Sequence, residues 1–162
     1  MDDSIATQVA NAWHELVEDE ELRSVYGDLG VSLRTSLPDA IDAIAAVVVD
    51  GRPSVLALVG DGLFVAAFAK VGDGDRLRVV TERIPLSPTP TMQIHDGWRP
   101  DSSKGPFRAS GERARHWTVT WVDGRVIAFE SIIGRAGGFH PEADAAERFG
   151  RVLAAQLGWQ IP

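Results

Sequence analysis

The sequence predicts an α+β protein: an antiparallel β-barrel or strongly curved sheet with a C-terminal capping helix and an N-terminal helical segment. Three observations lead to this fold class. Short apolar runs between residues 43 and 133 alternate with turn-forming residues, which is typical of hairpin-linked strands. Apolar residues in 141–157 instead recur at the spacing of one helix face. The same helical spacing occurs between residues 5 and 17.

Length and composition indicate one domain over residues 1–162. Of the 162 residues, 44% are hydrophobic and 24% charged, an ordinary globular composition. The chain contains no cysteine, which excludes disulfides, thiolate metal sites and a cysteine nucleophile. Its acidic start is unlike a signal peptide, and no apolar stretch reaches the roughly 20 residues that span a bilayer. We therefore expect a cytoplasmic protein with no membrane partner.

The net charge of −7 belongs entirely to the first 30 residues. The rest of the chain is neutral, which argues against a nucleic-acid partner, since nucleic-acid binders need a basic face. The acidic helical N-terminal segment, residues 1–37, combines this charge with an apolar stripe. Two interpretations stay open. The segment packs on the sheet, or it is an acidic arm that docks on a partner, with Trp13, Glu18 and Glu21 as contact residues.

Tight turns divide the central region into predicted strands. Asp-Gly and Gly-Asp pairs supply most of these turns, because their residues tolerate positive φ. Nearly continuous apolar runs in the first strands indicate burial on both faces or a closed barrel. Prolines at 85, 88 and 90 then interrupt pairing. The expected strands are 43–49, 54–60, 62–70, 76–84, a short edge strand at 91–95, 115–122 and 125–133, with the helix at 141–157.

Residues 96–114 are predicted to form one long irregular loop. Loops of this length in a compact domain are usually functional or disordered. Basic and aromatic residues alternate in it, a composition that suits an acidic peptide, a nucleotide or single-stranded nucleic acid. The candidate contact residues are Trp98, Arg99, Lys104, Phe107 and Arg108. Two other interpretations stay open: the aromatic residues pack on the barrel, or the acidic residues 15–21 dock on this loop and mask it.

Two local motifs resemble known sites without completing them. His14-Glu15 begins like the His-Glu-x-x-His zinc helix, but Glu18 stands where the second histidine is required. Residues 134–138 are rich in glycine, yet they lack the spacing and the following lysine of phosphate-binding loops. We therefore expect no metal site and no cofactor.

Four stretches indicate a family. They are Val55–Val65, Arg83–Ser87 with Met92–Ile94, Trp117–Phe129 and Pro141–Leu157. They resemble, in this order, the second hairpin, the entry to the fifth strand, the last hairpin and the capping helix of bacterial pleckstrin-homology-like (PH-like) domains. The resemblance covers residues 40–158 and implies a binding or scaffolding module rather than a catalyst. It does not imply phosphoinositide binding, because the turn of the first hairpin offers only Arg52.

The leading functional prediction is a non-catalytic cytoplasmic interaction module that recognises a protein or peptide. One alternative is a secretion-chaperone-like protein that holds another chain in an apolar groove. Another is a small-ligand-binding protein or enzyme with a sheet-lined pocket near His116, the best candidate for a general base, with Glu130 or Asp123 as its acidic neighbour. Self-association as a homodimer, through an edge strand or the face of Trp13, is a further hypothesis.

Overall fold

A computed structural model of the chain describes residues 37–70, 77–99, 112–134 and 144–161, together with positions 7, 9, 11, 13, 14 and 35. These residues form an α+β structure with two antiparallel sheets and one C-terminal helix. The chain divides into two compact units, Met1–Pro88 and Thr89–Pro162. The elements are β1 (Ala43–Val49), β2 (Arg52–Val59), β3 (Gly62–Lys70), β4 (Leu77–Pro85), β5 (Thr91–Arg99), β6 (Glu112–Thr120), β7 (Val126–Gly134) and α1 (Ala145–Gln156).

The first unit contains a four-stranded meander in the order β1-β2-β3-β4. The β1–β2 hairpin turns through Asp50 and Gly51, whose φ angles are 51° and 74°. Two successive positive φ angles characterise the tight hairpin turns that match the twist of the strands, and Asp-Gly is among the residue pairs that adopt them most readily. Val49 pairs with Arg52 directly beyond this turn. The first hairpin that the sequence predicted is therefore confirmed.

An apolar cluster covers one face of the four-stranded sheet. Small side chains on neighbouring strands leave room there for the indole of Trp13, which is completely buried. In β2 the opposite face is buried too, since Val55 and Leu56 are adjacent and both lack exposure. The near-continuous apolar run of β2 thus corresponds to a strand buried on both faces, as predicted, whereas in β1 Val48 is 42% exposed. The buried members of the cluster are Val9, Trp13, Leu37, Ala46, Val55, Ala57 and Ala66.

The second unit contains the three-stranded sheet β5-β6-β7 with α1 against one face. Every second residue of β6 and β7 points toward the helix, so Trp117 and Phe129 lie side by side, with ring centroids 5.9 Å apart. Phe149 of α1 meets Phe129 edge-on at 5.7 Å. A Cβ on Gly150 would overlap the indole ring of Trp117. The helix can therefore approach the sheet this closely only because position 150 is glycine.

Both ends of α1 follow capping rules that the sequence contains. Asp144 is the N-cap, and its side chain accepts a hydrogen bond from the amide of Glu147 at 2.8 Å. At the other end Gly158 adopts a φ of 86°, and the amide of Trp159 donates to the carbonyl of Ala154 at 2.8 Å. This is the Schellman arrangement, which satisfies carbonyl groups that the helix leaves unpaired. The predicted C-terminal helix and its end at Gly158 are confirmed, but the helix begins at Ala145 rather than at residue 141, because Asp144 is its extended N-cap.

Two predictions about the strands need correction. Within the described residues the strands form separate sheets of four and three strands, so they do not close into a barrel. Proline residues lack the amide donor that a ladder needs, and Pro85, Pro88 and Pro90 cluster where pairing stops between β4 and β5. The fifth strand is also longer than the predicted 91–95. It continues to Arg99 and pairs with residues 112–120, so the connection between β5 and β6 covers 100–111 rather than 96–114.

In the part of the chain that the structure describes, no helix is long and apolar enough to cross a membrane.

Candidate functional site

The polar side chains of the second unit converge where β5, β6 and β7 meet the first turn of α1. Alternation along the strands directs Asp96, Arg115 and Ser131 to the face that carries the helix, because Asp96 pairs with Arg115 and Arg115 with Ser131. The N-cap at Asp144 sets the start of α1 and with it the position of Glu147. Four separate elements thus bring their side chains to one place.

Glu147 is the centre of this polar network. Its side chain is only 1% exposed, and its carboxylate accepts hydrogen bonds from two strands and from its own helix. Arg115 donates Nη1 to Oε1 at 2.7 Å, and the hydroxyl of Ser131 donates to Oε2 at 2.6 Å. Arg151, one helical turn further on, donates Nε to Oε1 at 2.8 Å. Burying a carboxylate is tolerated only with such partners, and here it has three.

Two further groups extend the network on either side. Trp117 donates its indole Nε1 to the hydroxyl of Ser131 at 2.8 Å, which satisfies a buried polar atom. Arg115 also binds Asp96, with Nε 2.8 Å from Oδ1 and Nη2 3.3 Å from Oδ2. Arg113 donates Nη2 to the same carboxylate at 3.0 Å. The network therefore links the buried indole to a half-exposed guanidinium at the end of the sheet.

The network also shifts protonation equilibria. Hydrogen bonding from Arg115 lowers the pKa of Asp96, and the same bond raises the pKa of the Arg115 guanidinium. Burial raises the pKa of Asp144 at the N-cap, because low-dielectric surroundings disfavour its charged form. Asp96 and Arg115 are thus held as a charged pair. The network joins the helix to the sheet and orients Arg113.

Trp98 and Arg113 form the exposed end of this arrangement, which we call the Trp98 surface. The two residues are direct partners across β5 and β6, so their side chains lie on the same face of the sheet. Trp98 is 74% exposed, whereas Trp117 and Trp121 in the same unit are buried. The side chain of Arg113 is half exposed. An aromatic ring beside an oriented arginine is typical of contact residues at protein interfaces.

The structure places the remaining predicted contact residues as follows. Trp13 packs in the core cluster of the first unit with no exposed surface, and its role in partner binding stays a prediction. The backbone of Arg99 ends β5, while its side chain is not described. The other predicted contacts lie outside the described residues; they are Glu18, Glu21, Lys104, Phe107 and Arg108. The predicted docking of residues 15–21 on the loop lies outside them as well.

The opposite face of the three-stranded sheet carries a second group. Nδ1 of His116 lies 3.2 Å from Oε1 of Glu130, its partner on β7. Of the two acidic neighbours considered for His116, the structure therefore selects Glu130. Asp123 is engaged in the hairpin turn, where its carboxylate accepts the amide of Arg125 at 3.0 Å. His95 stacks on the other side of His116, with ring centroids 5.0 Å apart.

Sequence reasoning missed His95 and Glu147. His95 meets His116 only through the register of β5 against β6, and spacing along the chain contains no sign of it. In the sequence, nothing distinguishes Glu147 from an ordinary acidic residue in the first turn of a helix, where acids are favoured. Its burial follows from the tertiary contact with Arg115 and Ser131. No group of three or more metal-ligating side chains occurs among the described residues.

Comparison of the whole sequence with protein-family models, curated proteins and solved structures finds no significant match.

Proposed function

We propose that this protein is a binding module that recognises a protein or peptide through the Trp98 surface. The observation that carries the proposal is the exposure of Trp98, 74% of a large aromatic side chain, at the end of β5. Tryptophan and arginine are the residues most enriched among those that dominate interface energies. Isolated exposed aliphatic residues are common on protein surfaces, but an exposed tryptophan beside an oriented arginine is less common.

The network behind this surface supports the proposal. Asp96 holds Arg113 at 3.0 Å and is itself held by two hydrogen bonds from Arg115. A side chain that is already ordered loses less entropy when a partner binds, so more of the contact energy appears as affinity. Arg113 retains further guanidinium donors for an incoming acceptor. The surface thus suits a segment that offers an apolar side chain to Trp98 and a carboxylate or carbonyl to Arg113.

A PH-like assignment belongs to the same proposal. The order of the described elements, four strands, three strands and a helix, is the one that the resemblance implies. An interaction role does not depend on this assignment, because it rests on the side chains at the Trp98 surface.

A peptide library displayed on phage and selected against the full chain tests this function. Selected peptides are expected to bind the wild-type protein in a fluorescence anisotropy titration. Trp98→Ala should weaken them at least about 30-fold, the equivalent of the roughly 2 kcal/mol that defines a dominant contact. Trp159→Ala is the matched control, because Trp159 is an exposed tryptophan of the same unit. Selection of no peptide, or equal binding by Trp98→Ala and wild type, would contradict the proposal.

A further inference from the structure

The outer edge of β5 carries the inference. In the part of the chain that the structure describes, β5 pairs with β6 and with no other strand. The helix α1 packs mainly against β7, the strand at the opposite edge of this sheet. Pro90 and Pro100 stand directly before and after the strand, and no proline lies within Thr91–Arg99. Every residue of this edge therefore keeps its amide donor, and such an edge can pair with a further strand.

The register shows which backbone groups of β5 point outward. The amide of Trp121 donates to the carbonyl of Arg125 at 2.8 Å, so every second residue of β6, counted back from Trp121, bonds toward β7. The residues between them bond toward β5, as His116 does toward its partner His95. The outward amides and carbonyls of β5 therefore belong to the alternate residues, which are Met92, Ile94, Asp96 and Trp98.

Two copies of β5 can pair through these groups in one antiparallel register. With a twofold axis at His95, Trp98 lies opposite Met92 of the second copy, and Asp96 lies opposite Ile94 of the second copy. Each outward amide and carbonyl then has a partner.

The prolines that flank the strand exclude every other register. Moving the axis to any other residue of β5 sets one of the outward residues opposite the position of Pro90 or Pro100. Neither proline has an amide donor, so a hydrogen bond of the new ladder would be lost. The edge is therefore complementary to itself in a single register.

The side chains fit this register as well. Trp98, 74% exposed in one copy, becomes the direct neighbour of the second copy's Met92, and a thioether beside an indole ring is a favourable contact. No like charges lie directly opposite on this face, because Asp96 meets an isoleucine. Its carboxylate is already paired with Arg113 and Arg115.

We propose that two copies of this protein associate by antiparallel pairing of their β5 edges around a twofold axis at His95. The inference rests on the proposed function, because it names a second copy of the chain as the partner of the Trp98 surface. Twofold pairing of one patch with itself is the commonest symmetry of soluble oligomers. A single edge strand is a small interface, so the dimer is reversible rather than permanent.

Single-cysteine variants of the full chain test the register, since the chain has no cysteine of its own. His95→Cys sets two thiols opposite each other in a non-hydrogen-bonded pair, where Cα atoms are about 4.5 Å apart, within the range of disulfides. Gln93→Cys is the matched control. It changes another exposed residue on the same face of β5, but position 93 lies opposite position 97 of the second copy.

Under mild oxidation, His95→Cys should form a covalent dimer at least about 10-fold faster than Gln93→Cys, because only its thiols meet. Sedimentation velocity of the wild type, from micromolar to submillimolar concentration, should show a reversible monomer–dimer equilibrium. Trp98→Ala should weaken this equilibrium at least about 10-fold, whereas Trp159→Ala, an exposed tryptophan outside β5, should leave it unchanged. Circular dichroism shows whether each variant keeps the wild-type fold, and only folded variants are compared.

A wild-type chain that stays monomeric throughout this range would overturn the inference. So would equal cross-linking of His95→Cys and Gln93→Cys. The proposed function fails by a separate measurement, the peptide selection. Peptides that bind through Trp98 to a chain that never dimerises would therefore exclude the second copy as partner and leave the proposed function standing.

Discussion

Replacing Glu147 by glutamine tests whether the buried network stabilises the fold. The wild-type carboxylate accepts hydrogen bonds from Arg115, Ser131 and Arg151. Glutamine keeps one acceptor oxygen and replaces the other by an amide group, which itself donates and so opposes at least one of these donors. The substitution also removes the negative charge that faces Arg115, whose side chain is 11% exposed.

The expected loss of unfolding free energy is about 3 kcal/mol. Removing one partner of a buried ion pair costs about 3–5 kcal/mol, because the other charge stays buried without compensation. Two features place the expected loss for Glu147→Gln at the lower end of this range. Arg115 keeps Asp96, which accepts its Nε and Nη2 donors. Arg151 is 41% exposed, so water replaces the lost bond there.

Urea denaturation followed by tryptophan fluorescence measures this change. The signal is close to the substitution, because Trp117 donates to Ser131, which in turn donates to Glu147. Glu82→Gln on β4 is the control, since this glutamate is exposed and surface pairs contribute about 1 kcal/mol or less. A loss below about 1 kcal/mol in Glu147→Gln, with an unchanged denaturant slope, would refute the reasoning.

Three further predictions use the same scaffold. The pKa of Asp96 is lower in the folded than in the unfolded state. Its stabilising contribution is therefore present above the unfolded pKa of about 3.9 and is lost as the pH falls through the lower folded pKa. Asp96→Asn should thus make the melting temperature less sensitive to acid below about pH 4. Gly150→Ala should destabilise by up to about 2 kcal/mol in thermal melts, because the overlap with Trp117, at about 1–3 kcal/mol, exceeds the roughly 1 kcal/mol gain in helix propensity; a higher melting temperature would contradict this. Gly124→Ala should cost about 1–2 kcal/mol in urea denaturation, since φ at this turn is 90°, and an unchanged midpoint would show that the turn adapts.

The hairpins could be predicted because their determinants are local. Asp50-Gly51 adopts two positive φ angles, and Gly124 adopts one, as turn chemistry requires. The end of α1 at Gly158 likewise depends on the ability of glycine to adopt a positive φ. Each of these features depends on a few neighbouring residues, so the sequence contains the information in one place.

The extension of β5 could not be predicted in this way. Asp96 and Gly97 have the composition of a turn, but in the structure they continue the ladder opposite Arg115 and Ala114. Two hydrogen bonds from Arg115 to Asp96 and the pairing with β6 outweigh the low strand propensity of aspartate and glycine. The sequence indicates Trp98 as a candidate contact but predicts a loop for it, whereas in the structure it belongs to β5.

By itself the sequence determined the α+β class, most strand positions and the capping helix, because periodicity and turn residues act over short distances. Only the tertiary structure decided which side chains meet. The register of β5 on β6 brings His95 to His116, and the docking of α1 buries Glu147 against Arg115. These contacts join residues distant in the chain, and their geometry depends on packing between whole elements, which no local pattern encodes.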